Sequence, residues 1–265
     1  MTDTRTPAGR GPITALVGVT YVAMITMNVL ANALPLNGRN TGDVSDAYPS
    51  LFTPAGITFS IWSLIYLLLG LHVLYQIGLF RAGRLDGDQT ALLNRVGLLF
   101  AVSSLANTAW IFAWHYDVIP FSAVLIVVIL VCLILIADTV RAAHLTTREK
   151  WFVAGPFSVY FGWTTGATVA NVTVLLVSLG WDGFGISAAA WATVIVLVAM
   201  LIGTATMLRN RDVAYGLVLI WAFSGILLRQ VSSAGLDGRY PTIIAAVVAS
   251  LVIFLAAEVL VLRRR

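Results

Sequence analysis

Residues 121–144 read FSAVLIVVILVCLILIADTVRAAH, and no charge appears in them before Asp138. A helix of about 20 mainly apolar residues crosses the hydrocarbon core of a bilayer, whereas a barrel strand needs only about 10 residues of alternating polarity. A run this long and this uniformly apolar is therefore a spanning helix. Seven other windows pass the same test: 12–34, 53–80, 92–116, 151–179, 186–208, 213–230 and 241–262. The expected fold is all-α, a polytopic membrane bundle of eight transmembrane helices. The connections, of which 35–52 is the longest, are too short to hold a soluble domain.

Composition agrees. Of 265 residues, 59% are hydrophobic and 11% charged, and mean hydropathy is +0.92; a soluble domain carries about 25% charged residues. A disordered tail, a nucleic-acid-binding domain and an ordinary cytosolic enzyme are excluded. The pI near 9.5 does not point to nucleic acid, because the basic residues are scattered between apolar runs. They segregate by side instead. Arg5, Arg10, Arg81, Arg84, Arg95, Arg141, Arg148, Lys150, Arg209, Arg211 and Arg263 to Arg265 fall on one face of an eight-span arrangement. Only Arg39, Arg229 and Arg239 fall on the other. The positive-inside rule then places both termini in the cytoplasm and the protein in the cell membrane. An odd number of spans would spoil this segregation. The first apolar run ends in Ala31-Asn32-Ala33, which resembles a cleavage site, but it exceeds the roughly 7–15 residues of a secretory core, so it reads as an uncleaved helix.

Aromatic residues mark span ends: Trp114, Tyr116, Trp181 and Tyr240 at the outer side, Tyr75 and Trp151 at the inner side. Amphipathic rings favour the headgroup zone. Within the spans, polar groups need partners or a cavity. Asn28 and Asn32 share a face at i, i+4; Phe59, Trp62 and Tyr66 form a stripe; Asn107, Trp110 and Trp114 form another; Thr164, Thr168 and Asn171 a fourth. Facing inward, these stripes could line one pocket for a flat, mostly apolar ligand. The competing reading is hydrogen bonding and packing between helices, worth roughly 0.6–2 kcal/mol per polar contact. Gly162 and Gly166, four apart, suit close helix packing. Asp138 and Arg141 suit a local ion pair, Glu258 and Arg229 suit reach toward water, and His72 suits packing.

Chemical motifs are missing. No HExxH, CxxC, P-loop, dinucleotide fingerprint or nucleophile elbow occurs. The single cysteine, Cys132, excludes an intramolecular disulfide and a multi-cysteine metal site. The single lysine, Lys150, lies in a loop, which excludes a Schiff base inside a helix. The sequon Asn171-Val172-Thr173 lies within a span and is discounted. No catalytic or metal residue is assigned, and the reading leans away from an enzyme.

The segment TPAGITFSIWSLIYLLLG resembles the TspO/MBR family, the tryptophan-rich sensory proteins related to the translocator protein (peripheral benzodiazepine receptor). The resemblance rests on Pro54, Trp62, Tyr66 and Gly70 in the second helix. ANTAWIFAW adds Asn107 and Trp110 in the third, and WTTGATVAN adds Trp163, Ala167, Thr168 and Asn171 in the fifth. It covers roughly 12–180. The stretch NALPLNGRNTGDVSDAYPSLFTPAG is similar to a longer branch of that family. There are departures: the family's Trp before helix two is missing, Pro156 stands seven residues before Trp163 where the family has four, and helices six to eight have no counterpart in five-helix members.

The resemblance implies a TspO-like five-helix core at 1–182 with a three-helix extension at 183–265. It implies an apolar pocket for a tetrapyrrole- or sterol-like ligand, covered by the loop 35–52, whose Gly38, Gly42, Asp43 and Asp46 suit turns. Some members are linked to porphyrin degradation. The expected ligand residues are Asn28, Asn32, Pro54, Trp62, Tyr66, Asn107, Trp110, Trp163, Thr168 and Asn171. The expected role is sensing, regulation or transfer. The rivals are a transporter of a small hydrophobic molecule and a membrane enzyme acting on a lipid or pigment. No cofactor is required, a porphyrin being a ligand. The expected partners are the lipid bilayer and a hydrophobic small molecule, without nucleic acid, and a homodimer is one arrangement left open.

Overall fold

A computed structural model describes residues 11–34, 36–48, 50–81, 83 and 85–264. Arg5, Arg10, Arg84 and Arg265, used above for orientation, lie outside the described residues. Among those described, eight helices are long and apolar enough to cross a membrane: α1 Pro12–Ala33, α2 Gly56–Gln76, α3 Gly87–His115, α4 Ile119–Ala142, α5 Thr147–Ser178, α6 Ala188–Asn210, α7 Val213–Val231 and α8 Pro241–Arg263. The chain is a multi-pass helical membrane protein.

Local chemistry sets the helix ends. Pro12, Pro120 and Pro241 lie in first turns, where a missing N–H costs nothing. The Asp86 carboxylate accepts the Gln89 N–H at 2.7 Å, and the Gln89 side chain accepts the Asp86 N–H at 3.2 Å. This reciprocal cap starts α3 several residues before its apolar window, in a polar turn that hydropathy does not register. In α5, Pro156 cannot donate to the Phe152 carbonyl and its ring would clash there. The helix widens over Lys150–Ala154, with the Gly155 N–H bonding back to the Lys150 carbonyl. The Phe152 carbonyl accepts instead from His72 Nδ1 at 2.9 Å. His72 is thus fully buried packing, edge-on to Phe100 and Phe157, with one backbone bond.

The most buried span is α3, which packs along both α1 and α4. From α4 the bundle continues through α5 to α7, and α8 packs on α6 and α7. The α5–α7 contact is close because Gly162 lacks a side chain: a Cβ there would lie 2.8 Å from the Tyr215 carbonyl oxygen and 3.0 Å from Val218 Cβ. Gly166 behaves differently, since a Cβ there would meet nothing within 4 Å. It faces open space, not a helix.

A second fixed point joins α7 to the chain entering α2. The Ala55 N–H donates to the Gly225 carbonyl at 3.0 Å, Trp221 Nε1 donates to the Thr58 carbonyl at 2.9 Å, and Gln230 Nε2 donates to the Leu51 carbonyl at 2.7 Å. Gly225 permits this, because a Cβ there would overlap the Thr58 hydroxyl and lie 2.8 Å from Thr58 Cβ.

Several expectations about single residues are revised. Trp114 and Tyr75 do not present their rings outward; both are buried inside the protein, with Tyr75 stacked on Phe152. Trp151, by contrast, is 74% exposed. Glu258 does not reach outward: it is buried with its carboxylate against Gly216, where α7 leaves room for it. Arg229 pairs with Asp46 at 3.2 Å. Asp138 pairs with Arg141 at 2.9 Å, as the spacing suggested, and also with Arg209 of α6 at 3.0 Å.

Candidate ligand-binding site

The loop between α1 and α2 folds over one end of the bundle. Its short helix, Thr41–Asp46, is capped by Asn40, whose side chain accepts the Gly42 and Asp43 N–H groups at 2.9 and 3.1 Å. The loop is fastened on two sides. Toward α3, Asn37 Nδ2 donates to the His115 carbonyl at 2.9 Å, Arg39 pairs with Asp117, and the Tyr48 hydroxyl donates to Asp117 at 3.1 Å. Partial burial and that carboxylate push the Tyr48 phenol above its ordinary pKa. Toward α7 stand the Arg229–Asp46 pair and the Gln230 bond to Leu51.

Beneath this lid lies a cavity with about 690 Å³ of empty space, part of it open to the outside. The lid contributes Thr41, Ser45, Phe52 and Pro54; α2 contributes Phe59 and Trp62; α3 contributes Trp110 and Trp114. From α5 come Trp163, Gly166, Ala167, Ala170 and Asn171, and from α7 Leu219, Ala222, Phe223 and Ile226. On both α5 and α7 the lining residues recur at three- and four-residue intervals, one face of each helix.

The indoles form a connected group. Trp62 stacks on Tyr66 with centroids 5.4 Å apart, lies 6.4 Å from Trp110 and meets Trp163 edge-on at 6.1 Å; Trp110 stacks on Trp114 at 5.5 Å. Their N–H groups have different fates. Trp114 Nε1 donates to the Thr41 carbonyl at 3.1 Å, which ties the lid helix to α3. Trp110 and Trp163 are 6% and 4% exposed, and neither indole N–H has an acceptor. A buried donor without a partner is costly, and it marks a place where a ligand acceptor would be worth most. Among the described residues, no ionisable side chain lines the cavity.

Of the residues expected to bind ligand, Pro54, Trp62, Trp110, Trp163 and Asn171 are on this wall, with the Asn171 amide 3.3 Å from the Ser122 hydroxyl. The others stand behind or away from it. Asn28 donates to Asn107 at 2.7 Å, and Asn107 donates to the Tyr160 hydroxyl at 3.3 Å, a chain of bonds joining α1, α3 and α5. Asn107 also borders a smaller void of about 200 Å³ beneath Trp62 and Trp110. Tyr66 supports Trp62 from the side. Thr168 donates to the Thr164 carbonyl of its own helix at 2.8 Å, and exposed Asn32 likewise to the Asn28 carbonyl at 2.9 Å. Sequence reasoning missed Phe52 and all of the α7 face. The one available signal was the three- and four-residue spacing of Leu219, Ala222, Phe223 and Ile226, which any buried helix also shows.

A second cleft of about 670 Å³ opens beside the first, between the lid, the end of α5 and the start of α6. Trp181 and Trp191 form much of its wall. Among the described residues no group of three His, Cys, Asp or Glu stands close enough to hold a metal.

Fold and cavity together define a polytopic membrane protein with an indole-lined chamber under an ordered extramembrane lid. The chain belongs to the TSPO-like protein family, whose model matches residues 14–260. The match runs past residue 182 through α6, α7 and most of α8, so the last three helices fall within it. Comparisons with curated proteins and with solved structures give no match.

Proposed function

We propose that the protein binds a planar, mainly apolar molecule of tetrapyrrole- or sterol-like shape in the chamber under the lid, for sensing, regulation or transfer. The observation that carries this is the pair of buried indole donors, Trp110 and Trp163, unpaired in an otherwise apolar wall. The wall supplies ring faces for stacking, two N–H groups for orientation and no charge, so it suits a neutral ring system bearing a hydrogen-bond acceptor. Residues of α7 complete the wall, so a five-helix core at 1–182 and an extension at 183–265 would share one site. Segregation of basic residues supports a cell-membrane protein with both termini cytoplasmic. The neighbouring cleft favours transfer over storage, and porphyrin flux in proteoliposomes beyond stoichiometric binding would establish a carrier.

The test is a titration of the purified protein with protoporphyrin dimethyl ester, whose esterified propionates leave the ring system neutral, followed by the porphyrin's own absorbance so that tryptophan substitutions do not remove the signal. Trp110→Phe/Trp163→Phe keeps apolar rings but deletes both donors. A net hydrogen bond of about 0.5–1.5 kcal/mol each predicts an affinity lower by about fivefold to a hundredfold. Equal affinity in the two proteins would refute the assignment.

A further inference from the structure

The two clefts meet at one side chain. Phe52 lines both, and it is 3% exposed, wedged between them. Its segment is held at the backbone: the Leu51 carbonyl accepts from Gln230, and the Phe52 N–H donates to Ser50 Oγ at 3.2 Å. The ring therefore stands on an anchored segment of the lid. The outer cleft shares the chamber's indole walls. Trp181 and Trp191 lie 4.9 Å apart, and the Trp191 N–H is already spent on the Gly183 carbonyl at 2.7 Å. The one carboxylate there, Asp182, accepts the Phe184 N–H at 2.9 Å. The rest of the wall is mainly apolar, with Ser50 and Thr173 as its other polar side chains.

We propose that the cleft between α5 and α6 is a second binding site beside the chamber, a vestibule for the same planar, mainly apolar class of molecule, with the Phe52 ring as the partition between the two. This rests on the chamber being a ligand site. It also gives α6 a role, as one wall of the passage.

The test needs no ligand. With Cys132, the sole cysteine, changed to Ala, an Ala222→Cys substitution puts a thiol on a buried part of the chamber wall. The full-length protein in liposomes is then labelled with N-ethylmaleimide. Ala188 lines the vestibule in the first turn of α6 and is exposed, so Ala188→Trp plugs the passage without touching the chamber. Labelling is expected to slow at least fivefold with Ala188→Trp and to quicken at least fivefold with Phe52→Ala. A protein that had lost its fold would label faster, so slowing by Ala188→Trp cannot come from misfolding. Equal rates with and without Ala188→Trp would overturn the passage, whatever Phe52→Ala does. Porphyrin titration separates the two readings. Failure to bind porphyrin with the labelling pattern intact removes the ligand assignment and leaves the passage. Tight binding with uniform labelling removes the passage and leaves the ligand.

Discussion

Replacing Gly225 by alanine puts a methyl group where Thr58 already stands. The new carbon would overlap the Thr58 hydroxyl and lie 2.8 Å from Thr58 Cβ, and Thr58 is 1% exposed with no room to retreat. The α2 entrance must therefore move off α7, which strains two hydrogen bonds, Ala55 N–H to Gly225 and Trp221 Nε1 to the Thr58 carbonyl. Overpacking of a tight contact costs about 1–3 kcal/mol and each of the two weakened hydrogen bonds about 1 kcal/mol, so a loss of about 3–5 kcal/mol is expected. Equilibrium unfolding in mixed micelles, followed by circular dichroism, measures it. Thr58→Ala supplies the internal control. The Thr58 hydroxyl is buried without a partner, so its removal alone is expected to be near neutral. Combined with Gly225→Ala it should relieve part of the clash, giving a favourable coupling of about 1 kcal/mol or more. If Gly225→Ala alone stays within about 0.5 kcal/mol of wild type, the range of an inconsequential surface change, the docking of α7 on α2 is wrong.

The Asn28–Asn107–Tyr160 chain should respond to Asn107→Ala with a loss of about 1–2 kcal/mol in the same unfolding assay, while Asn32→Ala, on an exposed amide bonded within its own helix, should be silent. Tyr48 should ionise above the ordinary value of 10.0, because of partial burial and its bond to Asp117, and Asp117→Asn should bring it back toward that value in an ultraviolet absorbance titration. The folded protein holds this proton more tightly than the unfolded chain. The associated stability is therefore complete below pH 10 and is lost as pH rises beyond it.

The eight helices were legible because length and apolarity suffice to define a span. Their ends were less so: α3 begins at Gly87 in a turn whose signal is the Asp86–Gln89 cap, and hydropathy places it at 92. The indoles Trp62, Trp110 and Trp163 could be grouped from spacing and from the family's motifs, and they do converge. Trp114 was misplaced because a tryptophan near a span end has the same pattern whether it anchors in headgroups or holds a lid. The α7 contribution was illegible for another reason. It depends on Gly162 and Gly225, whose meaning lies in what a missing Cβ lets approach from a distant part of the chain. Glu258 shows the same limit, since burial was decided by Gly216 on another helix.

The near-contiguity of Trp62, Trp110, Trp114 and Trp163 has an optical consequence. Fluorophores at these separations exchange excitation faster than they emit, so light absorbed by any one of the four is shared among them. A single absorber lodged in their midst would darken the whole quartet at once. The emission of this quartet, read above that of Trp151, Trp181, Trp191 and Trp221, is thereby a meter for the occupancy of one room, and the loss of signal per guest would exceed what one quenched indole can give.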